Sequence, residues 1–388
     1  MARHAPQPDR RRHRRDHARR HRPLLRALAL LSARIEIDRS LRLDEGAPNG
    51  HNRWHPDIPA VASVDPGVTV TFEIRDSRDR TIGRGSTHED LLATPALAHP
   101  LTGPLEVRGA APDDVLEVEI LGYETDGFGW TAIWPGSGFL GDLFDRPFLA
   151  RWEIDGTHAR SGELPGVAVP ACTHAGTIGV APSRELFERA LARERALADA
   201  GGQVPLPSPE YAAPPSAPDG LRTYPPRENG GNMDVRDLVA GSRLLLPVHV
   251  PGALLSIGDL HFAQGDGEVC ISAIETGGSA TVRVSLRRDG WRPRFPAWET
   301  PARPGPAYFA TTGIPLDDEG RNADRDLNLA TRRALLELLD WLVSERGLGR
   351  EAAYVLMSVA AELRVSELVD APNALVSAAL PLDVFEGG

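Results

Sequence analysis

A tight turn followed by a run of alternating apolar and polar residues recurs along this chain, and no other feature limits the fold as strongly. Val61-Ala62-Ser63-Val64 passes through Asp65-Pro66-Gly67 into Val68-Thr69-Val70-Thr71-Phe72-Glu73-Ile74. Gly103-Pro104-Leu105-Glu106-Val107 reaches Val115-Leu116-Glu117-Val118-Glu119-Ile120 through Ala111-Pro112-Asp113-Asp114, and Asp237 to Ser242 leads into Arg243 to Val250. A period of two places every second side chain on one face, as a half-buried strand requires. The 38 Gly and 34 Pro supply the turns. The repetition suggests β-barrel or sandwich modules and a diverged duplication.

Helical spacing occurs in three places. Ser183 caps a helix from Glu185 to about Ala200, closed by Gly201-Gly202. Asp324 to Glu345 carries an apolar stripe through Leu327, Ala334, Leu338 and Leu342 and ends at Gly347, and Arg350 to about Leu363 reads as a further helix before an extended tail. The chain therefore divides into a disordered Arg-rich extension (1–34), an N-terminal β-rich lobe (35–182), a helix with a Pro-rich excursion (183–230), and a C-terminal β lobe with two late helices (231–388).

Charge removes several function classes. Residues 1–34 hold eleven Arg against Asp9 and Asp16, so the rest of the chain is far more acidic than the net charge of −11. Such a body does not suit a nucleic-acid surface. No apolar run reaches transmembrane length. Two cysteines make neither a disulfide framework nor a zinc ribbon, which fits a reducing cytoplasm. All 43 basic residues are Arg. The absence of Lys excludes Schiff-base chemistry, pyridoxal phosphate and a Walker-type phosphate site.

Polar residues inside apolar context mark the candidate site. Asp259 and His261 interrupt the apolar run Leu254–Phe262, and in a strand they share a face. The turn Gln264-Gly265-Asp266-Gly267 then leads to Glu268, read as the start of the next strand, Val269 to Glu275. Such a hairpin gathers Asp259, His261, Asp266 and Glu268, one imidazole with carboxylates, a set suited to zinc. The alternative is a surface hairpin with ordinary acids. Glu228-Asn229-Gly230-Gly231-Asn232-Met233-Asp234 offers an amide and a carboxylate two residues apart, or simply a turn. His51-Asn52-Arg53-Trp54-His55-Pro56-Asp57 is dense in polar groups without a metal-ligand spacing, His51 being its stronger candidate. Cys270 reads as a buried inert thiol, or as a nucleophile with His261 as its base. Loops at His99 and at Cys172-Thr173-His174 offer site walls, and Gly127-Phe128-Gly129-Trp130 an aromatic lining.

These blocks together resemble the acetamidase/formamidase family. The resemblance rests on Trp54-His55-Pro56-Asp57-Ile58-Pro59, Thr102-Gly103-Pro104, Gly179-Val180-Ala181-Pro182, Asn229-Gly230-Gly231-Asn232, Gly258-Asp259-Leu260-His261 with Gln264-Gly265-Asp266-Gly267-Glu268, and Arg364 to Asp370. It covers roughly Ile35 to Glu386. Glu228 and Met233 depart from the Asn-His-Gly-Gly-Asn and Cys of many relatives and place the chain nearer the shorter acetamidase-type branch. The resemblance implies a β-rich α+β protein with two barrel- or roll-like β lobes and peripheral helices. It also implies a homodimer that hydrolyses a short linear amide to carboxylate and ammonia, with a divalent metal in some members. Without Lys, the Ser–Ser–Lys and Glu–Lys–Cys amidase routes are closed. The expected metal ligands are then Asp259, His261 and Glu268, with Asp234 or Asp266 added and His51 a further candidate; zinc is the first choice and calcium the second. Glu268, Asp266 or Glu275 moves the proton, and Asn232 stabilises the oxyanion. Two readings compete: a β-barrel that binds a small amide or carboxylate without turnover, and a metal-free amidase using Cys270 or a carboxylate.

Overall fold

The computed structural model describes residues 32–382 and 385, apart from 94–96, 139–144, 164–167, 214–217, 265–267, 269, 302–306 and 349–360. Its axis is a pair of long antiparallel strands, Val115–Ile133 and Glu275–Arg287, paired from Glu275 opposite Trp130 to Arg287 opposite Val115 with two register shifts between. Thr69–Ile74 pairs with the free side of the second strand. The alternation read from the sequence is what buries these strands. Val70, Phe72 and Ile74, Leu116, Val118 and Ile120, and Val282 and Val284 all point into one core. Removing each such side chain from water contributes about 1.5–3 kcal/mol.

The class is the β-rich α+β one that the sequence indicated, with no closed barrel among the described residues. Among the described residues, eighteen strands join in one hydrogen-bonded network. Strands from either side of the expected lobe boundary pair directly: Leu255–His261 runs antiparallel both to Leu101–Val107 and to His174–Gly179. Several strands fall within one residue of the expected extents, among them Ala62–Val64 and Thr69–Ile74, while Arg243–Pro247 stops short of Val250. Others differ more. Val115–Ile133 continues far past Ile120 because its second half gains a new partner, Phe148–Ile154. Ser32–Ile35, mostly assigned to the extension, forms a parallel strand beside Thr69–Ile74.

Both helices expected on described residues form, the first at its expected cap and the second starting at Leu327 and not at Asp324. Ser183 Oγ accepts from Leu186 N–H at 3.1 Å and starts the helix Arg184–Asp199. Asp326 caps Leu327–Arg346, and Gly347 ends it with a φ of 65° that only glycine adopts without strain. This second helix lays Leu338 and Trp341 against Phe309, Val376 and Leu380 of the C-terminal strands, with the Phe309 and Trp341 rings stacked 3.9 Å apart. The third expected helix lies largely outside the described residues, and its last positions belong to the strand Glu362–Glu367. No helix among the described residues is long and apolar enough to cross a membrane.

The helix Arg184–Asp199 is clamped in an unusual way for charged residues. Arg193 donates to both oxygens of Glu228 at 2.6 and 2.7 Å, and Arg227 donates to both oxygens of Glu194 at 2.6 and 2.9 Å. All four residues are buried. The crossed pairs fix the loop that delivers Gly230–Asn232, a short strand set against His174–Gly179.

Candidate active site

The strand Leu255–His261 is buried along its whole length, so its polar side chains need partners inside the protein. His261 faces Glu275 across the strand pair, and His261 Nε2 lies 3.4 Å from Glu275 Oε2. The same nitrogen is 3.3 Å from Asp259 Oδ1 and 4.0 Å from Glu268 Oε1. The spacing of Asp259 and His261 thus brings them together as expected. Glu268 arrives differently: the next strand begins at Glu275, so Glu268 sits in the connecting segment and reaches the cluster from there. Asp234 joins from the turn after Gly230–Asn232, where the N–H groups of Met233 and Asp234 both donate to Gly176 O.

Gly176 shows how closely the cluster packs. A Cβ on this residue would lie 2.5 Å from Asp234 Oδ1, 2.7 Å from His261 Cε1 and 2.9 Å from Asp259 Oδ2. Gln264 orients the imidazole. Its Oε1 lies 2.9 Å from His261 Nδ1 and 3.0 Å from His174 Nε2, while its Nε2 donates to Asp234 O at 2.8 Å. This network assigns the Nδ1 proton of His261 to Gln264 and turns Nε2 toward the carboxylates. Asn232 donates to Asp234 Oδ2 at 2.9 Å and to Asp370 Oδ2, and its own oxygen accepts from Thr177. Both N–H groups of its amide are therefore engaged. In this arrangement Asn232 aligns carboxylates and presents no free donor to an oxyanion.

The electrostatics follow from burial. Six carboxyl groups, Asp234, Asp259, Glu268, Glu275, Glu367 and Asp370, are buried around His261, with His174 and His99 beside them. Burial, then Glu275 and Asp370, push the Glu268 carboxyl well above its ordinary range, and burial with Glu268 does the same to Asp234. Burial raises Asp370 to about 7. Burial alone would lower His261, but Glu275 and Asp259 outweigh it and hold the imidazole well above its ordinary value. Asp259 is driven the other way, His261 overcoming its desolvation. A cluster of this composition favours protons or a cation.

The residues fit a divalent cation. Asp234 Oδ1, Asp259 Oδ1, His261 Nε2 and Glu275 Oε2 are buried without a hydrogen-bond partner. Asp259, His261 and Glu275 each offer a ligand atom within 4.8 Å of the others, and so do Asp234, His261 and Glu268. Imidazole with carboxylates is a donor set for zinc.

Other sequence candidates lie elsewhere. Asp266 falls outside the described residues. His51 is buried with Nδ1 on Arg53 O at 2.8 Å and Nε2 on Ser256 Oγ at 2.9 Å, so neither nitrogen is available to a metal. Cys270 Sγ contacts Ser272 O at 3.4 Å, and burial pushes its thiol up, away from a reactive thiolate. His55 accepts from Asp57 N–H and organises its own turn. Sequence reasoning gave no site role to Glu367 and Asp370, although both stand in the Arg364–Asp370 block that carries part of the resemblance. Arg78 had no local signal at all. A cavity of about 30 Å³ beside the cluster is lined by Asp259, Glu268, Glu275 and Asp370, together with His99 from one expected wall and Trp130 from the expected aromatic lining.

Comparison with known proteins identifies the family. The family model described as "Acetamidase/Formamidase family" matches residues 36–387. The chain is 37% identical to an acetamidase of Mycolicibacterium smegmatis over 83% of its length and 88% of that protein. It is 34% identical to a formamidase of Methylophilus methylotrophus, covering 87% and 89% of the two chains. Among solved structures, an acetamidase from Bacillus halodurans superposes with a TM-score of 0.69 at 28% identity, over 87% of this chain and 97% of that one. A gamma lactamase from Delftia acidovorans superposes at 0.67 and 33% identity, over 92% and 93%. The chain belongs to the acetamidase/formamidase family.

Proposed function

We propose that this amidohydrolase of small linear amides acts on a formamide- or acetamide-type substrate at the His261 cluster, assisted by a divalent cation. The observation that carries the cation is the set of four buried, unpartnered donor atoms gathered around His261 Nε2. His261 with Asp259 and Glu275, and Asp234 alongside, would hold it. A cation bound there supplies Lewis-acid polarisation of the amide carbonyl and makes water more acidic.

The remaining steps belong to the chain. Gln264 keeps His261 Nδ1 protonated and its ring fixed. Asn232 holds the carboxylates of Asp234 and Asp370 in place. Glu268, with its raised proton affinity, takes the proton of the attacking water and delivers it to the amide nitrogen as the C–N bond breaks. The products are the carboxylate and ammonium. A cytoplasmic location and a homodimer belong to the same proposal, the first supported by Cys172 and Cys270 remaining free thiols.

An ammonia-release screen over formamide, acetamide, propionamide and urea, with and without chelator, tests the proposal. Release from a short amide is expected, lost on chelation and restored by metal. Full activity after exhaustive chelation, with no metal found by elemental analysis, overturns the cation. No ammonia from any amide overturns the reaction.

A further inference from the structure

The cavity beside the carboxylate cluster contains one group for which hydrolysis as described has no task. Arg78 is the only Arg or Lys among its lining residues, and it shares that lining with the four carboxyl groups Asp259, Glu268, Glu275 and Asp370. Its place follows from the turn after Thr69–Ile74. The buried Asp76 carboxylate accepts from Arg78 N–H at 2.9 Å and from Arg80 N–H at 3.0 Å, which closes the turn. Arg75 pairs with Asp79 at 2.7 Å, both of them buried. The turn is thus braced by its own neighbours, and the Arg78 side chain is left over. Its guanidinium carbon lies 4.6 Å from the centroid of the Trp134 ring. It makes no hydrogen bond or ion pair with any described residue. A guanidinium held against an aromatic ring keeps its in-plane N–H donors available.

We propose that Arg78 binds the carboxylate product of the reaction. The inference rests on the amidohydrolase reading above. In hydrolysis the water oxygen bonds to the acyl carbon, the C–N bond breaks with its electron pair going to nitrogen, and protons pass to that nitrogen. A neutral amide becomes an anion and ammonium. The ammonium suits the surrounding acids; the anion does not. A planar guanidinium is the two-point partner for a carboxylate, whereas an amide carbonyl offers it a single acceptor oxygen. Arg78 therefore acts late on the reaction path, as negative charge gathers on two oxygens. It sets product affinity and turnover more than substrate affinity.

The test uses the full-length metal-loaded enzyme, Arg78→Met and Arg78→Lys, with thermal melting to verify folding. Inhibition of ammonia release by sodium acetate and sodium formate is measured, together with acetate binding to the resting enzyme by calorimetry. Arg78→Met is expected to weaken both inhibition and binding by about 10- to 100-fold, the loss of a charge-assisted hydrogen bond, and to lower kcat with little change in KM. Arg78→Lys should recover part of the loss, and it carries the test should the Met variant fail to fold. Folded variants that retain wild-type carboxylate inhibition and binding overturn the assignment. A wild-type protein that releases no ammonia refutes the reaction instead, and the calorimetric comparison then still decides whether Arg78 holds a carboxylate.

Discussion

Replacing Glu228 with Gln should destabilise the protein by roughly 3–5 kcal/mol, the range for breaking a buried ion pair by removing one partner. The Arg193 side chain is 2% exposed and Glu228 12%, so Arg193 would lose its bidentate partner away from water. The acid side of the stability curve gives an independent magnitude. Desolvation acts to raise the Glu228 pKa, but Arg193 overcomes it and brings the carboxyl from 4.5 down to about 2. A folded pKa below the unfolded one contributes stability that is fully present above the unfolded value. That contribution is lost as pH falls from about 4.5 toward 2, and the shift corresponds to about 3 kcal/mol. Urea unfolding at pH 7 and at pH 3, at unchanged m-value, measures both effects. Glu228→Gln should lose about 3 kcal/mol or more at pH 7 and show a shallower loss of stability on acidification than wild type. Replacing both partners with Met removes the charges together and should cost much less than either single change. A loss below about 1 kcal/mol at pH 7, or an acid limb identical to that of wild type, would refute the reasoning, because both magnitudes derive from the same buried contact.

Three further expectations follow from the site. Gly176→Ala forces a methyl group against Asp234, His261 and Asp259; activity should fall by about 100-fold or more, and metal content by elemental analysis should fall with it. Gln264→Leu removes the acceptor on His261 Nδ1 and should weaken metal affinity, measured by chelator competition, by about 10- to 100-fold; unchanged affinity would show that the ring is held by other contacts. Cys270→Ser should retain turnover, and the wild-type enzyme should resist thiol-blocking reagents, since the thiol is held in its protonated form; loss of activity in both experiments would restore the nucleophile reading.

The parts of this molecule legible in the sequence are those fixed by local periodicity. Alternation marked Thr69–Ile74, and the i, i+2 spacing put Asp259 beside His261 because a strand does so by its own geometry. The pairings brought by the fold were less legible: the sequence named Glu275 as a proton carrier but not as the residue facing His261, and it gave Asp370 no site role. Glu275 reaches His261 through an antiparallel pairing, and Asp370 reaches Asn232 across 138 residues. Nothing near either residue in the sequence marks it as buried. The metal reading of His51 failed for a related reason: residue type gives an imidazole its capacity, but Arg53 O and Ser256 Oγ had already taken both nitrogens.

Charged residues show the same limit from the other side. Pattern reading treats Arg and Glu on a helix as its wet face, and Arg193-Glu194 would be assigned there. Their partners, Arg227-Glu228, repeat the dipeptide, so the pairing crosses Arg193 to Glu228 and Glu194 to Arg227. Neither dipeptide alone justifies burial, since an uncompensated charge inside the protein costs several kcal/mol. Together they neutralise each other and carry the loop to Gly230–Asn232, whose Asn232 then aligns Asp234 and Asp370. The departure at Glu228 is thus tied to Arg193, which makes it part of the frame behind the site. Glu228→Asn, which places the motif's asparagine at this position, should therefore need a matching change at Arg193 to keep its stability, and the double-mutant cycle between the two positions should show strong coupling.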